Sequence, residues 1–254
     1  MLMALDVGNS NITVGVFDGE NQICQARLAT AEKRTADQYA LEIKSILSLK
    51  GCETDKIDGV IIGSVVPVIG NALRNAIVTL LGIEPLMLGP GVKTGLNICL
   101  DDPAQLGADL VAGAIGALSK IKAPCIIIDM GTATTISVIN KNGAFLGGII
   151  AAGMELTRDI LTQKTAQLPS IKISAPESVI GKSTDVSMRS GLVYGTAAML
   201  DGLIDRIEGE LGYECTIIAT GGLSSLVVPY CRRKIELSDN LVLEGLRIIY
   251  NKNR

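Results

Sequence analysis

Apolar residues near the start of the chain fall in short runs broken by one kind of polar turn. Residues 2–5 are apolar, Asp6-Val7-Gly8-Asn9-Ser10 is a polar turn containing glycine, and Ile12–Phe17 is again mostly apolar. Asp18-Gly19 is a hairpin turn signal, and Ile23–Ala29 predicts a third strand. The plan recurs in the second half. Cys125–Ile128 is apolar, Asp129-Met130-Gly131-Thr132-Ala133 is the turn, Ile136–Ile139 returns, Asn142-Gly143 turns again, and Ala144–Ile150 is the third strand. Asp6 and Asp129 stand 123 positions apart, and Gly19 and Gly143 stand 124 apart. A shared Asp-x-Gly followed by a shared hairpin turn predicts two related domains facing each other, residues 1–120 and 121–254, with the boundary near 118–123. The alternative is two unrelated hairpins in one α/β protein.

Helical spacing connects these hairpins. Ala36, Tyr39, Ala40, Ile43, Ile46 and Leu47 keep it, as do Ile69, Leu73, Ile77, Leu80 and Leu81. Asp102-Pro103 reads as an N-cap with proline at the first helical position, opening a helix through Leu106, Leu110, Ala114 and Ala117. A long helix is predicted over 186–211, with Gly191, Gly195 and Gly202 permitting close packing. Cys215–Ala219 reads as a strand and Asn240–Tyr250 as a terminal helix.

Composition narrows the chemistry. Of 254 residues 48% are hydrophobic but only 3% aromatic, so aliphatic and small side chains fill the core, which suits alternating strands and helices. Net charge is −3 with no basic block, which argues against binding nucleic acid through a cationic face; a nucleotide held by backbone amides and a metal remains open. Histidine is absent, which excludes Ser-His-Asp and Cys-His mechanisms and His-ligated metals. Proton transfer falls to Asp, Glu, Lys, Tyr or Cys. None of the six cysteines forms a CxxC pair, so reduced thiols in a cytoplasmic protein are expected. The opening MLMALDVGNS lacks the basic segment of a signal peptide, and no apolar run reaches membrane-spanning length.

Four motifs can carry chemistry. In Asp6-Val7-Gly8-Asn9-Ser10-Asn11 the glycine lets backbone approach phosphate oxygens, and Asp6 can hold Mg²⁺ directly or through water. Asp129-Met130-Gly131-Thr132-Ala133-Thr134-Thr135 offers hydroxyl and amide donors for a second phosphate contact. Ala219-Thr220-Gly221-Gly222 permits close approach of a flat ring or a sugar. Each of these is equally a plain turn when taken alone; the first two as a pair would clamp a triphosphate. In Gly107-Ala108-Asp109-Leu110, Asp109 borders an apolar stripe, where desolvation would raise its pKa and suit it as a general base. A surface aspartate complementing a helix dipole fits the same spacing.

In order, the segments DVGNSNITVG, GSVVP, GVKTGL, DDPAQLGADL, DMGTATT, GGIIAAG, TAQLP, GKST, SGLVYG, ATGG and LEGL resemble those of type III pantothenate kinases, from residue 6 to residue 246. The resemblance implies the duplicated actin-like (ribonuclease H-like) ATPase fold, with two similar domains around a central cleft. It implies ATP-dependent phosphorylation of the terminal hydroxyl of pantothenate, the entry step of coenzyme A synthesis, by a cytoplasmic homodimer. By the same resemblance, Asp6, Val7, Gly8, Asn9, Ser10, Asn11, Ile12 and Thr13 hold the ATP phosphates, with Asp6 near Mg²⁺. Thr132 contacts ATP, Gly221 and Gly222 lie near adenosine, and Asp129 binds K⁺ or NH4⁺. Gly107, Ala108, Asp109 and Leu110 line the pantothenate site with Asp109 as proton acceptor, and Thr184 also touches substrate. Leu110 stands where the family often has Arg, Leu100 where it often has Tyr, and Ser137 where Asp is common. Two other expectations share the fold: a non-catalytic regulatory accessory protein, and a phosphoanhydride hydrolase.

Overall fold

The structure, a computed structural model, describes residues 1–31 and 33–254. The chain divides into two compact units. The first comprises Met1–Leu96, Asp101–Ser119 and Leu241–Arg254; the second comprises Asn97–Leu100 and Lys120–Asn240.

The first unit is built on a five-stranded sheet of β1 (Leu2–Val7), β2 (Asn11–Asp18), β3 (Asn21–Ala29), β4 (Gly59–Ser64) and β5 (Leu86–Met87), in the order β3-β2-β1-β4-β5. The hairpins β1-β2-β3 are antiparallel, whereas β4 and β5 run parallel to β1. Strand alternation sends Met3, Leu5, Val14, Val16 and Ile62 into one core with Tyr39, Ile43 and Leu47 of α1 (Ala36–Leu49) and Ile69, Leu73 and Ile77 of α2 (Pro67–Leu81). The start of α1 is set by a capping box between Thr35 and Gln38. The start of α2 follows Pro67 at its first position, and its end is a left-handed Gly82. On the opposite face Gly15 and Gly63 make room for Leu243 and Leu246 of the C-terminal helix.

The second unit repeats the plan with β7 (Cys125–Met130), β8 (Ala133–Ile139), β9 (Ala144–Ala152), β10 (Thr216–Thr220) and β11 (Glu236–Leu237) in the order β11-β10-β7-β8-β9. A short β6 (Asn97–Ile98) adds parallel to β9. Ile126, Ile128, Ile136 and Ile217 pack with Met188, Leu192, Leu200 and Ile204 of α5 (Thr184–Leu211) and with Met154 of α4 (Met154–Lys164). Cys125 is buried and Cys215 partly so, and burial pushes the Cys125 thiol up to about 12.

The register supports duplication more closely than the sequence spacing does. A β-bulge falls between Val16 and Phe17 of β2 and between Val138 and Ile139 of β8. In each copy the residue skipped on the third strand, Ile23 or Leu146, is an exposed aliphatic. The first turn differs: residues 8–11 separate the pair Val7 and Ile12, but only 131–133 separate Met130 and Thr134.

Three local expectations change. Pro103 opens only a single 3-10 turn, Pro103–Gln105; Leu106 is extended, and the α-helix α3 (Ala108–Lys120) starts afresh. The Asp102 carboxylate caps that short turn by accepting from the Ala104 amide (3.1 Å), so its N-cap chemistry serves this turn and not α3. The glycines of α5 do not mediate close packing within the chain. Among the described residues Gly191 and Gly195 have nothing within 4 Å of a would-be Cβ, and Gly202 meets only the Arg206 guanidinium. The unpredicted β4 is apolar at consecutive positions because both its faces are covered, so it lacks alternation.

Candidate active site

Each unit presents a group of candidate residues at the ends of its central strands. In the first, Asp6 lies on β1 opposite Thr13 of β2 and Gly63 of β4. The turn after it closes through the Gly8 amide, which donates to the Asn11 carbonyl (3.0 Å). Asn9, Ser10 and Asn11 are exposed.

Val65 links this turn to the second motif of the same unit. Its amide donates to the Val7 carbonyl (3.1 Å), and its side chain lies 3.6 Å from where a Gly107 Cβ would sit. A Cβ at Gly107 would also stand 2.5 Å from Asp109 Oδ1, so a side chain here would make the Asp109 carboxylate shift. Val65 therefore lies between the strand end before the Gly8 turn and the Gly107 backbone. Asp109 sits in the first turn of α3 and is half-buried. Burial raises its pKa, against the lowering effect of the Leu110 amide, which donates to Oδ1 (2.8 Å). The helix N-terminus also favours the charged form, yet desolvation prevails. The net effect is a carboxyl whose pKa is raised by burial.

In the second unit Asp129 on β7 lies opposite Thr135 of β8 and Thr220 of β10. Gly131 closes its turn by donating to the Ala133 carbonyl (3.1 Å). Gly221 has φ +95°, and a Cβ there would press on the Met130 backbone at 2.6 Å. The strand-end glycine therefore leans directly on the Asp129 turn. The Gly153 amide donates to the Thr132 carbonyl (3.1 Å) and opens α4. One turn on, Thr157 Oγ1 donates to the Gly153 carbonyl (2.9 Å). Thr157 and Thr184 line a hollow of about 400 Å³ together with Ser187, Leu161, Leu168 and Met188. Thr132, Asp129, Gly221 and Thr184 thus belong to one connected region of this unit. Gly222 follows directly, while Leu100 packs near Gly147 rather than beside these residues.

Sequence reasoning gave no role to Val65, Thr30, Gly153 or Thr157. Alignment of the two copies could have exposed two of them, since Thr30 and Gly153 stand 123 positions apart, each following the third strand.

A three-stranded hairpin with an Asp-x-Gly turn, extended by parallel strands, is built twice, with one helix between the third and fourth strands of the first copy and two in the second; this is the duplicated actin-like ATPase fold, shared with sugar kinases. The structure is similar to an activator of 2-hydroxyisocaproyl-CoA dehydratase from Clostridium difficile, solved with ADPNP (TM-score 0.56, 14% identity, 99% of this chain and 93% of that one). It is also similar to a ROK family glucokinase from Streptomyces griseus (TM-score 0.51, 16% identity, 100% and 99%). These likenesses carry the fold alone. The family model for type III pantothenate kinase matches residues 2–206. A type III pantothenate kinase of Shouchella clausii is 41% identical over 256 positions, covering all of both chains. The chain belongs to the type III pantothenate kinase family.

Proposed function

We propose how this chain carries out the reaction its family performs, transfer of phosphate from ATP to pantothenate for coenzyme A synthesis. Phosphoryl transfer needs alignment and charge neutralisation more than covalent help. Asp6, Val7, Gly8, Asn9, Ser10, Asn11, Ile12 and Thr13 take the ATP phosphates, and Thr132 adds a contact. Gly221 and Gly222 take adenosine. Gly107, Ala108, Leu110 and Thr184 hold pantothenate, and Asp109 accepts the proton of its terminal hydroxyl as the O–P bond forms. The observation that supports this reading is Val65, which donates to the Val7 carbonyl before the Gly8 turn and lies beside Gly107, two residues before a half-buried Asp109 whose pKa burial raises.

Among the described residues no group of three His, Cys, Asp or Glu side chains forms a metal cage. A lone carboxylate at each strand end instead fits ions that take most ligands from phosphate and water. Asp6 would hold Mg²⁺ and Asp129 a monovalent cation, K⁺ or NH4⁺. When bound, they offset charge on the transferring phosphoryl group.

The protein acts as a cytoplasmic homodimer in this reading. Uncovered Gly191 and Gly195 on α5 and exposed Leu156 and Ile160 on α4 support self-association. Among the described residues no helix is long and apolar enough to cross a membrane. The deciding experiment incubates purified protein with ATP, Mg²⁺ and K⁺, with and without pantothenate. Pantothenate-dependent ADP release, with a product heavier by one phosphate, is expected; ADP release indifferent to pantothenate would refute the assignment. Sedimentation of the same sample as a monomer would remove the dimer.

A further inference from the structure

Thr30, the residue after β3, makes two hydrogen bonds to the phosphate-type turn of the first unit. Its Oγ1 donates to the Gly8 carbonyl (2.7 Å), and its amide donates to the Ser10 carbonyl (3.0 Å). A trans peptide points its C=O and the following N–H in opposite directions. Holding the Gly8 carbonyl toward Thr30 therefore aims the Asn9 amide away from it. Holding the Ser10 carbonyl does the same for the Asn11 amide. The alternate amides of Asn9 and Asn11 are thereby turned to the side of the turn away from Thr30, where they can donate to an anion.

Thr30 is itself fixed from behind. The buried Tyr39 hydroxyl donates to the Ala31 carbonyl (3.0 Å) and accepts from the Ala31 amide (3.2 Å). Arg34 donates to the Ala29 carbonyl (2.9 Å). Both neighbours of Thr30 are held, so its hydroxyl has a defined place from which to act.

The second copy supplies a control within the same chain. Gly153 occupies the equivalent place and keeps the amide bond to its turn, at the Thr132 carbonyl. A Cβ there would collide with the carbonyls of Gly131 and Thr132, so no side chain can add the second bond. The hydroxyl tether therefore belongs to the first turn only.

We propose that Thr30 is a positioning residue for ATP: through the Gly8 and Ser10 carbonyls it orients the turn amides that meet the nucleotide phosphates. This rests on assigning the Asp6–Thr13 turn to ATP, and the test separates the two. Thr30→Val keeps the shape of the side chain and removes the hydroxyl, whereas Thr30→Ser keeps the hydroxyl. Binding of Mg²⁺·ADP and of a non-hydrolysable ATP analogue is measured by calorimetry. The amide exchange of Asn9 and Asn11 and the KM for each substrate are followed in parallel. Thr30→Val should weaken nucleotide binding about three- to tenfold, the range of one hydrogen bond. It should speed exchange at Asn9 and Asn11 and leave the KM for pantothenate unchanged, and Thr30→Ser should restore all of these. Wild-type affinity and exchange in Thr30→Val would overturn the role of Thr30 alone. Weakening that Thr30→Ser does not reverse, or that raises both KM values alike with a lowered Tm, would overturn it as mere loosening. Failure of the wild-type protein to bind nucleotide would overturn the ATP assignment and this inference with it.

Discussion

Gly245 of the C-terminal helix α7 (Leu241–Lys252) meets the carbonyl of Ala112 in α3 so closely that a Cβ would overlap it. The contact is mirrored one turn away, where Gly116 meets the Leu241 carbonyl in the same manner. These helices touch backbone to backbone, and α3 carries Asp109 at its start. Gly245→Ala should destabilise the protein by about 1–3 kcal/mol through overpacking. It should also lower kcat by displacing α3. Thermal unfolding and steady-state kinetics read both effects, and a variant as stable as wild type would show that the helices can part without penalty.

Asp109→Asn should abolish turnover while Mg²⁺·ATP binding, followed by calorimetry, survives. In the wild type, kcat should fall as acid protonates Asp109. That descent should lie above the ordinary carboxylate range, because burial raises the group. Turnover near the wild-type rate in Asp109→Asn would remove it as the base.

The same shift has a consequence for stability. A carboxyl whose pKa is raised by folding holds its proton more tightly in the native chain. Its contribution is fully present below the unfolded value and is lost as pH rises through the folded one. At neutral pH the ionised group is a cost, so Asp109→Asn should raise Tm at pH 7. The gain should shrink as pH is lowered toward the ordinary carboxylate value. Equal Tm values for the two proteins at pH 7 would contradict the assigned desolvation.

Asp6→Asn should weaken the dependence of the rate on Mg²⁺, moving the titration to higher metal concentration. Superimposable titrations would leave Asp6 without its proposed task.

The two hairpins were legible because an Asp-x-Gly turn between apolar runs has a local signature that no tertiary contact is needed to read. The capped helices α1 and α2 were legible for the same reason, through the spacing of Ile43 and Leu47 and of Leu73 and Ile77. What failed locally was the Asp102-Pro103 start. Its capping chemistry is real, but it serves a 3-10 turn, and nothing in the sequence marks the extended Leu106 that ends it. Strand β4 escaped notice because complete burial removes alternation. Among the candidate site residues, Asp6, Asp109 and Asp129 are legible as titratable groups beside glycines. Thr30 and Val65 act through backbone carbonyls and amides, and such partners leave no mark on residue type.

The α7 helix is translated only after the whole of the second unit, yet it covers the first sheet with Leu243 at Gly15, Leu246 at Gly63 and Tyr250 at Gly59. Until α7 is made, one apolar face of the first sheet lacks that cover. The nascent first unit must therefore wait, exposed, for the whole of the second to be translated, and a ribosome stalled before codon 241 releases a chain that cannot complete it.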